Sequence, residues 1–319
     1  MKSKLGALIA AVIIGVNALS AAHAETRVTF KSAKSSSSYY QMAVQLAEAI
    51  KRGTNGEIIV TVEESQGSVQ NVMEAAKRTG NYVFTTPPVL VKLAQKGKAM
   101  FKDKTDPKFA EIRALFPIPS LTMHFVVRAD SGINSFADLE GKTILIGKGS
   151  FGAREGAKYL KLFGLEGKVN LADAELNAAV AALKNKQIDG FVTAGSYPAP
   201  NVIEAAASTG IRILSLSDAQ IAQTKRTRLV IPAGTYAGVD YDVVTTSLPV
   251  VAHTTTQMDD DTAYMLTKTY WQQKDALGAS AAWWNGVSTD MLENVYGKLH
   301  SGALKYYDEA GVSVPDALR

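Results

Sequence analysis

Residues 142–164 constrain what this chain can fold into more than any other stretch. Residues 143–146 have the apolar composition of a buried strand, and residues 147–152 are mostly small, as in a tight loop. Beyond the loop, apolar side chains recur at the spacing of one helix face, at Tyr159, Leu160, Leu162 and Phe163. The stretch therefore predicts a strand, a glycine-rich loop and a helix that packs on a sheet, which is the repeating unit of an α/β fold.

The loop has two interpretations. A helix that begins in it directs unpaired N–H groups and the positive end of its dipole outward, where a carboxylate or another small anion can bind. Gly147, Gly149 and Gly152 also match the G-x-G-x-x-G pattern of dinucleotide-binding proteins. That pattern requires an acidic residue about 20 positions further on, for which Glu166 and Asp173 are available. The loop alone leaves both a small-anion site and a nucleotide site open.

The first 24 residues have the features of a secretory signal peptide. Lys2 and Lys4 precede an apolar run over residues 5–16, and residues 22–24 form an A-x-A cleavage site. An uncleaved membrane anchor is the alternative, because the apolar run approaches the length that spans a bilayer. The small-residue site favours cleavage near Ala24, and it predicts a mature exported protein that begins near Glu25.

Composition argues against several classes of function. The chain has no cysteine, so neither a disulfide nor thiolate chemistry is available. The formal net charge of +4 is mild, and no run of Lys and Arg with interleaved aromatics indicates a nucleic-acid partner. His124, His253 and His300 are far apart and lack the spacing of a metal site, and no G-x-S-x-G elbow surrounds Ser150. We therefore expect no enzyme, no metal site and no cofactor.

Predicted strands and helices alternate along the mature chain, and two proline-containing apolar stretches divide it. Residues 114–127 and 230–239 are typical of segments where a chain leaves one sheet and enters another. They predict two βα lobes joined by hinge strands. Domain 1 would comprise residues 25–125 and 240–319, and domain 2 residues 126–239. A cleft between two such lobes is where a small ligand would bind.

Six blocks spread over the mature chain resemble one known family. They are VEESQGSVQNV (62–72), DSGINSFADLEGK (130–142), YPAP (197–200), IPAGTYAG (231–238), AYMLTKTYWQQ (263–273) and LHSGALKYYDEAGV (299–312). Taken together and in this order, they resemble the TAXI family, the solute-binding subunits of one class of TRAP transporters.

The resemblance implies a two-lobed periplasmic-binding-protein fold, type II-like, that closes on a small ligand. It implies that the ligand is a small carboxylate, either an amino acid such as glutamate or another organic acid. The implied partner is an integral-membrane TRAP permease that is driven by an ion gradient. We expect the protein to be a monomer. A periplasmic protein that presents a small molecule to a membrane sensor, or to an ABC-type permease, is the alternative with the same fold.

Two loops depart from the family pattern. Members usually carry G-G-T-Y-Y after the first strand, whereas residues 36–40 of this chain are SSSYY. Members commonly carry Gln-Ser-Asp after the third strand, whereas residues 85–87 are TTP. Both loops would face the cleft, so the departures bear on which acid is bound and leave the binding role intact.

Ten residues on these and neighbouring loops are candidate ligand contacts: Ser37, Ser38, Tyr39, Gly67, Ser68, Thr86, Gly149, Ser150, Phe151 and Tyr197. Residues 149–151 favour binding most, because the N–H groups at a helix start are hard to satisfy otherwise. Ser38 and Ser68 could instead serve as helix caps, and Tyr197 could be ordinary turn packing. Trp283 and Trp284 are more typical of core packing than of ligand stacking.

Overall fold

The computed structural model describes residues 25–319, and the predicted signal peptide lies outside these described residues. The strands are β1 (Thr26–Lys31), β2 (Ile58–Glu63), β3 (Tyr82–Thr86), β4 (Ile112–Arg128), β5 (Thr143–Leu145), β6 (Asn170–Ala172), β7 (Gly190–Gly195), β8 (Ile211–Ile213), β9 (Thr227–Ile231), β10 (Val243–Thr255) and β11 (Lys298–Leu299). The α-helices are α1 (Ser38–Gly53), α2 (Ser68–Ala75), α3 (Pro88–Gln95), α4 (Phe151–Leu162), α5 (Ala179–Lys184), α6 (Pro200–Thr209), α7 (Asp218–Thr224), α8 (Asp260–Gln272), α9 (Lys274–Ser280) and α10 (Ser301–Glu309). Short 3-10 helices occupy Ala99–Phe101, Pro107–Glu111, Ala129–Ser131, Phe136–Leu139, Leu176–Ala178, Ala282–Gly286, Thr289–Asn294 and Asp316–Leu318.

All the described strands belong to one mixed sheet, whose main order is β2-β1-β3-β10-β4-β7-β5-β6. In one half, β1 pairs in parallel with β2 and β3. In the other half, β5 pairs in parallel with β6 and β7. Because the carboxyl ends of parallel strands lie at one edge of a sheet, each half gathers its strand-to-helix loops at one edge. These two sets of loops face each other across the middle of the sheet.

The middle of the sheet is formed by the two long strands, β4 and β10, which pair antiparallel. The first part of β4 pairs with β10, and from Thr122 to Val127 it pairs with β7. The expectation that the chain leaves one sheet and enters a second one is therefore wrong, because β4 is a single strand of 17 residues within one sheet. Pro119 fits inside this strand because the register shifts between the pairs Leu121–Leu248 and Ile118–Val250, where the ladder with β10 is already interrupted.

We call residues 25–125 and 240–319 lobe 1 and residues 126–239 lobe 2, after the predicted boundaries, which remain a prediction. One large cluster of buried apolar side chains fills lobe 1 and continues under α4 of lobe 2. A second cluster packs α5 and α6 against the opposite face of lobe 2. Trp284 is fully buried in the larger cluster, which confirms its expected packing role. Among residues 25–319, no helix is both long and apolar enough to cross a bilayer.

Candidate functional site

The first loop of the candidate site follows β1 and leads into α1. Ser37 is the N-cap of α1, and its Oγ accepts a hydrogen bond of 3.3 Å from the N–H of Tyr40. The expectation that Ser38 is the cap is wrong by one residue, because the run of four serines over residues 35–38 offers the same side chain at each position. Ser38 instead opens the helix, with its side chain buried between the lobes and its Oγ without a hydrogen-bond partner among the described residues.

Two further helices begin beside α1. Gly67 is the N-cap of α2, and with a φ of +114° and no side chain it leaves the first turn of α2 without a side-chain cap. Ser150 is the N-cap of α4, and its Oγ accepts a hydrogen bond of 2.9 Å from the N–H of Ala153. Three helix N-termini, two from lobe 1 and one from lobe 2, therefore lie around the same space.

That space is a cavity of about 50 Å³ between the lobes. Six of the ten predicted residues line it: Ser37, Tyr39, Gly67, Ser68, Ser150 and Phe151. Leu121 of β4 forms part of its wall. Lys34 of lobe 1 and Lys148 of lobe 2 also line it, and each is paired with a carboxylate outside the lining, Glu175 and Asp173 respectively. No Asp or Glu is among the described residues that line the cavity. The assignment of these residues to a ligand remains a prediction.

The two lobes are joined by hydrogen bonds beside the cavity. Glu175 of lobe 2 accepts from Lys34 Nζ at 2.8 Å and from Gln66 Nε2 at 2.7 Å, and both donors belong to lobe 1. These two hydrogen bonds hold the pKa of Glu175 below its ordinary value. Sequence reasoning missed Gln66 and Glu175, since they are 109 positions apart and no local pattern links them.

The other four predicted residues lie outside the cavity lining. Ser38 packs against Gly195 of lobe 2, and Thr86 is fully buried at the end of β3. Gly149 faces Gln66 across the cleft, where a Cβ added to the glycine would lie 3.6 Å from Gln66 Cβ. Tyr197 lines a separate groove. The structure thus brings six of the predicted residues together and disperses the remaining four around them.

The groove that Tyr197 lines has a volume of about 540 Å³. Lobe 2 contributes Tyr197, Pro198 and Thr235 to it, and lobe 1 contributes Trp283. Pro119 and Ser120 of β4 also line it. None of the described residues that line this groove is charged, in contrast to the cavity with its two lysines.

The glycines of the G-x-G-x-x-G match have separate structural roles. Gly147 and Gly149 adopt φ values of +75° and +79°, which the loop requires and which glycine adopts readily. Gly152 lies inside α4, where an added Cβ would approach Ala194 of β7 to 3.0 Å, so this glycine allows the helix close to the sheet. The acidic candidates are occupied elsewhere, because Glu166 pairs with Lys161 and Asp173 with Lys148. A cavity of about 50 Å³ is also far smaller than a dinucleotide needs, so the geometry favours a small anion.

The chain matches one protein family and shares its architecture with solved structures. A model of the NMT1-like family matches residues 30–311. The structure of the periplasmic binding protein BugD superposes with a TM-score of 0.53 at 12% sequence identity, covering 91% of this chain and 99% of that chain. The structure of a protein from Bordetella bronchiseptica RB50 superposes with a TM-score of 0.52 at 15% identity, covering 90% and 98% of the two chains. The superpositions confirm the two-lobed periplasmic-binding-protein fold that the sequence predicted.

Proposed function

This chain belongs to the NMT1-like family, and we propose that it is an extracytoplasmic solute-binding protein that captures a small carboxylate between its lobes. The observation that carries the proposal is the convergence of three helix N-termini on one cavity. The described residues that line this cavity include two lysines and no carboxylate. Unpaired N–H groups and the positive ends of helix dipoles favour an anion at such a position.

The cavity favours binding over catalysis. Its hydroxyl groups include those of Ser37 and Ser150, and both already accept hydrogen bonds from the helices they cap. No histidine or carboxylate among the described lining residues could act as a general base for a nucleophile. We therefore propose that the ligand is held and released unchanged, as transport requires.

We further propose that the partner is an integral-membrane permease of the TRAP class and that the protein acts as a periplasmic monomer. The support is the resemblance of six sequence blocks to TAXI proteins and the signal-like N-terminus. Presentation of the same ligand to a membrane sensor or to an ABC-type permease is the alternative, and the cavity geometry is compatible with it. Deleting the TRAP permease genes and the ABC permease genes of the host in separate strains, and measuring ligand uptake in each, would separate these roles.

One experiment tests the ligand class directly. The protein is purified from the periplasm of its host, denatured, and the released small molecules are identified by mass spectrometry. We expect a carboxylate in stoichiometric amount, and we expect it to be unaltered after incubation with fresh protein. A cationic or uncharged ligand, or turnover to a new product, would contradict the proposal.

A second measurement tests the closing of the lobes. The contacts of Glu175 with Lys34 and Gln66 exist only when the lobes are together, so a ligand that touches both lobes should favour this state. We expect small-angle scattering to give a smaller radius of gyration with saturating ligand than without it. An identical radius in the two conditions would argue against hinge closure.

The glycine-rich loop gives a mutational prediction. Gly149→Ala places a side chain at a φ of +79°, which costs about 1 to 2 kcal/mol and should shift the start of α4. We expect the affinity for the identified acid to fall about fivefold in calorimetric titration. Gly141→Ala is the matched control, because Gly141 has a φ of +77° in open space. Gly141→Ala should lose similar stability in thermal unfolding and keep the affinity of the parent. Equal affinities for Gly149→Ala and Gly141→Ala would mean that the loop is a structural turn and does not contribute to binding.

A further inference from the structure

Tyr39 lies between the small cavity and the large groove. It lines the cavity, and its hydroxyl donates a hydrogen bond of 3.0 Å to the carbonyl oxygen of Pro119, which lines the groove. Its side chain is buried, with 6% of the residue exposed. The ring of Tyr39 therefore reaches from the cavity to the main chain of β4 that lines the groove, and together with Leu121 of β4 it forms the wall that separates the two spaces.

The groove side of this wall is built from main chain and hydroxyl groups. Ser196 Oγ donates a hydrogen bond of 2.7 Å to the carbonyl oxygen of Ser120, so β4 and the end of β7 are tied together beside the Tyr39 hydroxyl. Burial raises the pKa of that hydroxyl, so Tyr39 remains an uncharged donor and does not repel an anion in the cavity.

The two spaces differ in the chemistry they can accommodate. The cavity has two lysines and three helix N-termini, whereas the groove has aromatic rings, proline rings and hydroxyl groups without a charge. The cavity of about 50 Å³ holds roughly four water-sized groups, which is the size of acetate, whereas the groove is about 540 Å³. An acid with an uncharged tail would match the two spaces in series if the wall were absent.

We propose that Tyr39 sets the length of the bound acid by closing the cavity off from the groove. The inference rests on the proposed function, because it takes the carboxylate of the ligand to lie in the cavity. It assigns to Tyr39 the selection of short acids over longer ones. It assigns to the groove the space that a longer tail would occupy once the ring is removed.

The test measures affinity against acid length. Calorimetric titrations of the mature protein use acetate, butyrate, hexanoate and 3-phenylpropionate. We expect the parent to bind hexanoate and 3-phenylpropionate at least tenfold more weakly than the better of the two short acids. In Tyr39→Ala, we expect the affinity for hexanoate relative to acetate to rise at least tenfold. Tyr40→Ala is the matched control, because this neighbouring tyrosine lines neither space and its removal should leave the length profile unchanged.

A second readout locates the tail. Hexanoate bound to Tyr39→Ala should change the tryptophan fluorescence, and the change should disappear when Trp283→Phe is added, since Trp283 lines the groove. If Tyr39→Ala fails to fold, Tyr39→Leu also removes the ring while keeping apolar volume. The parent profile alone can also overturn the inference, because equal binding of hexanoate and butyrate by the parent means that the wall does not limit length.

The outcomes distinguish this inference from the proposed function. A parent that binds acetate or butyrate, together with a Tyr39→Ala profile equal to the parent profile, refutes the role of Tyr39 and leaves carboxylate capture standing. A parent that binds no carboxylate, and instead releases an uncharged or cationic ligand on denaturation, refutes the proposed function and this inference with it.

Discussion

Lowering the pH from 7 to 5 should destabilise the protein by about 4 kcal/mol or more, because three histidines, His124, His253 and His300, are buried and burial disfavours their charged form. Burial lowers the pKa of His124 and of His253 to about 4 each, from an ordinary value near 6.5. Between pH 6.5 and 4 the unfolded chain therefore binds protons that the folded chain does not bind. The free energy of unfolding falls as the pH falls through this window. His124 and His253 each contribute about 2 kcal/mol to the loss between pH 7 and 5. Burial also lowers the pKa of His300, which adds to the loss.

The hydrogen bonds of His124 explain why its neutral form is required. Its Nδ1 lies 3.2 Å from the carbonyl oxygen of Thr122, which can only accept, so Nδ1 carries the proton. Its Nε2 then accepts from the hydroxyl of Tyr236 at 2.9 Å, and that hydroxyl accepts in turn from the N–H of Ala199. Protonation of Nε2 would turn the acceptor into a donor and break this chain of hydrogen bonds, which runs from His124 of lobe 1 to Tyr236 and Ala199 of lobe 2.

His253 resembles His124 at only one of its two ring nitrogens, because Nδ1 has a carbonyl partner and Nε2 has none among the described residues. Its Nδ1 lies 3.0 Å from the carbonyl oxygen of Val251, and its ring stacks on Phe84. Its Nε2 is buried and has no hydrogen-bond partner among the described residues. A proton on Nε2 would therefore place an unpaired charge in the core of lobe 1, which is costly.

The measurement is urea unfolding followed by circular dichroism at pH 8, 7, 6 and 5. His253→Phe should remove about half of the loss between pH 7 and 5, because phenylalanine keeps the stacking ring and cannot titrate. Comparing each variant with itself at pH 8 cancels the pH-independent effect of the substitution. The carboxylates do not interfere, since lowered pKa values of Glu63 and Glu74 place their contribution below about pH 4.5. If the free energy of unfolding falls equally between pH 7 and 5 in the parent and in His253→Phe, His253 is not a source of the pH dependence.

Local signals in the sequence predicted the starts of the helices around the site. The strand, loop and helix of residues 143–162 lie within two residues of where the apolar pattern and the small-residue loop placed them, because each depends on neighbours within one or two turns. The same locality set the limit of the prediction, since it could not choose between Ser37 and Ser38 as the cap of α1. The role of Gly152 was also hidden, because it depends on how closely α4 approaches Ala194.

Contacts between distant parts of the chain were beyond sequence reasoning. Nothing near Glu175 in the sequence indicates that it accepts hydrogen bonds from Lys34 and Gln66, because the pairing depends on how the lobes meet. The prolines of β4 misled the prediction for a related reason. Prolines mark a break in many strands, but here the pairing with β10 is irregular at Pro119, so a single strand passes through both lobes.

The second large effect should come from a single methyl group at the contact between the lobes. Gly195 ends β7 in lobe 2, and a Cβ added to it would lie 2.5 Å from Ser38 Oγ of lobe 1. Because Ser38 is buried, its Oγ can avoid the methyl group only by changing rotamer inside a packed contact, so we expect Gly195→Ala to disfavour the approach of the lobes and weaken binding of the identified acid about tenfold. Calorimetric titration measures the loss, and small-angle scattering should no longer show contraction at the ligand concentration that saturates the parent.

A double-mutant cycle with Ser38→Ala separates this clash from a direct contact between Ser38 and the ligand. The added Cβ lies 3.7 Å from Ser38 Cβ, an ordinary contact, so removing Oγ should make room for the methyl group and restore the affinity of the double variant to within about threefold of the parent. Ser38→Ala alone should bind normally, because Ser38 does not line the cavity and its Oγ has no partner among the described residues. If Ser38 contacts the ligand instead, the single variant binds weakly and the double variant is not rescued. If Gly195→Ala binds like the parent, the lobes need not approach this closely, and the closed arrangement is not the one that holds the ligand.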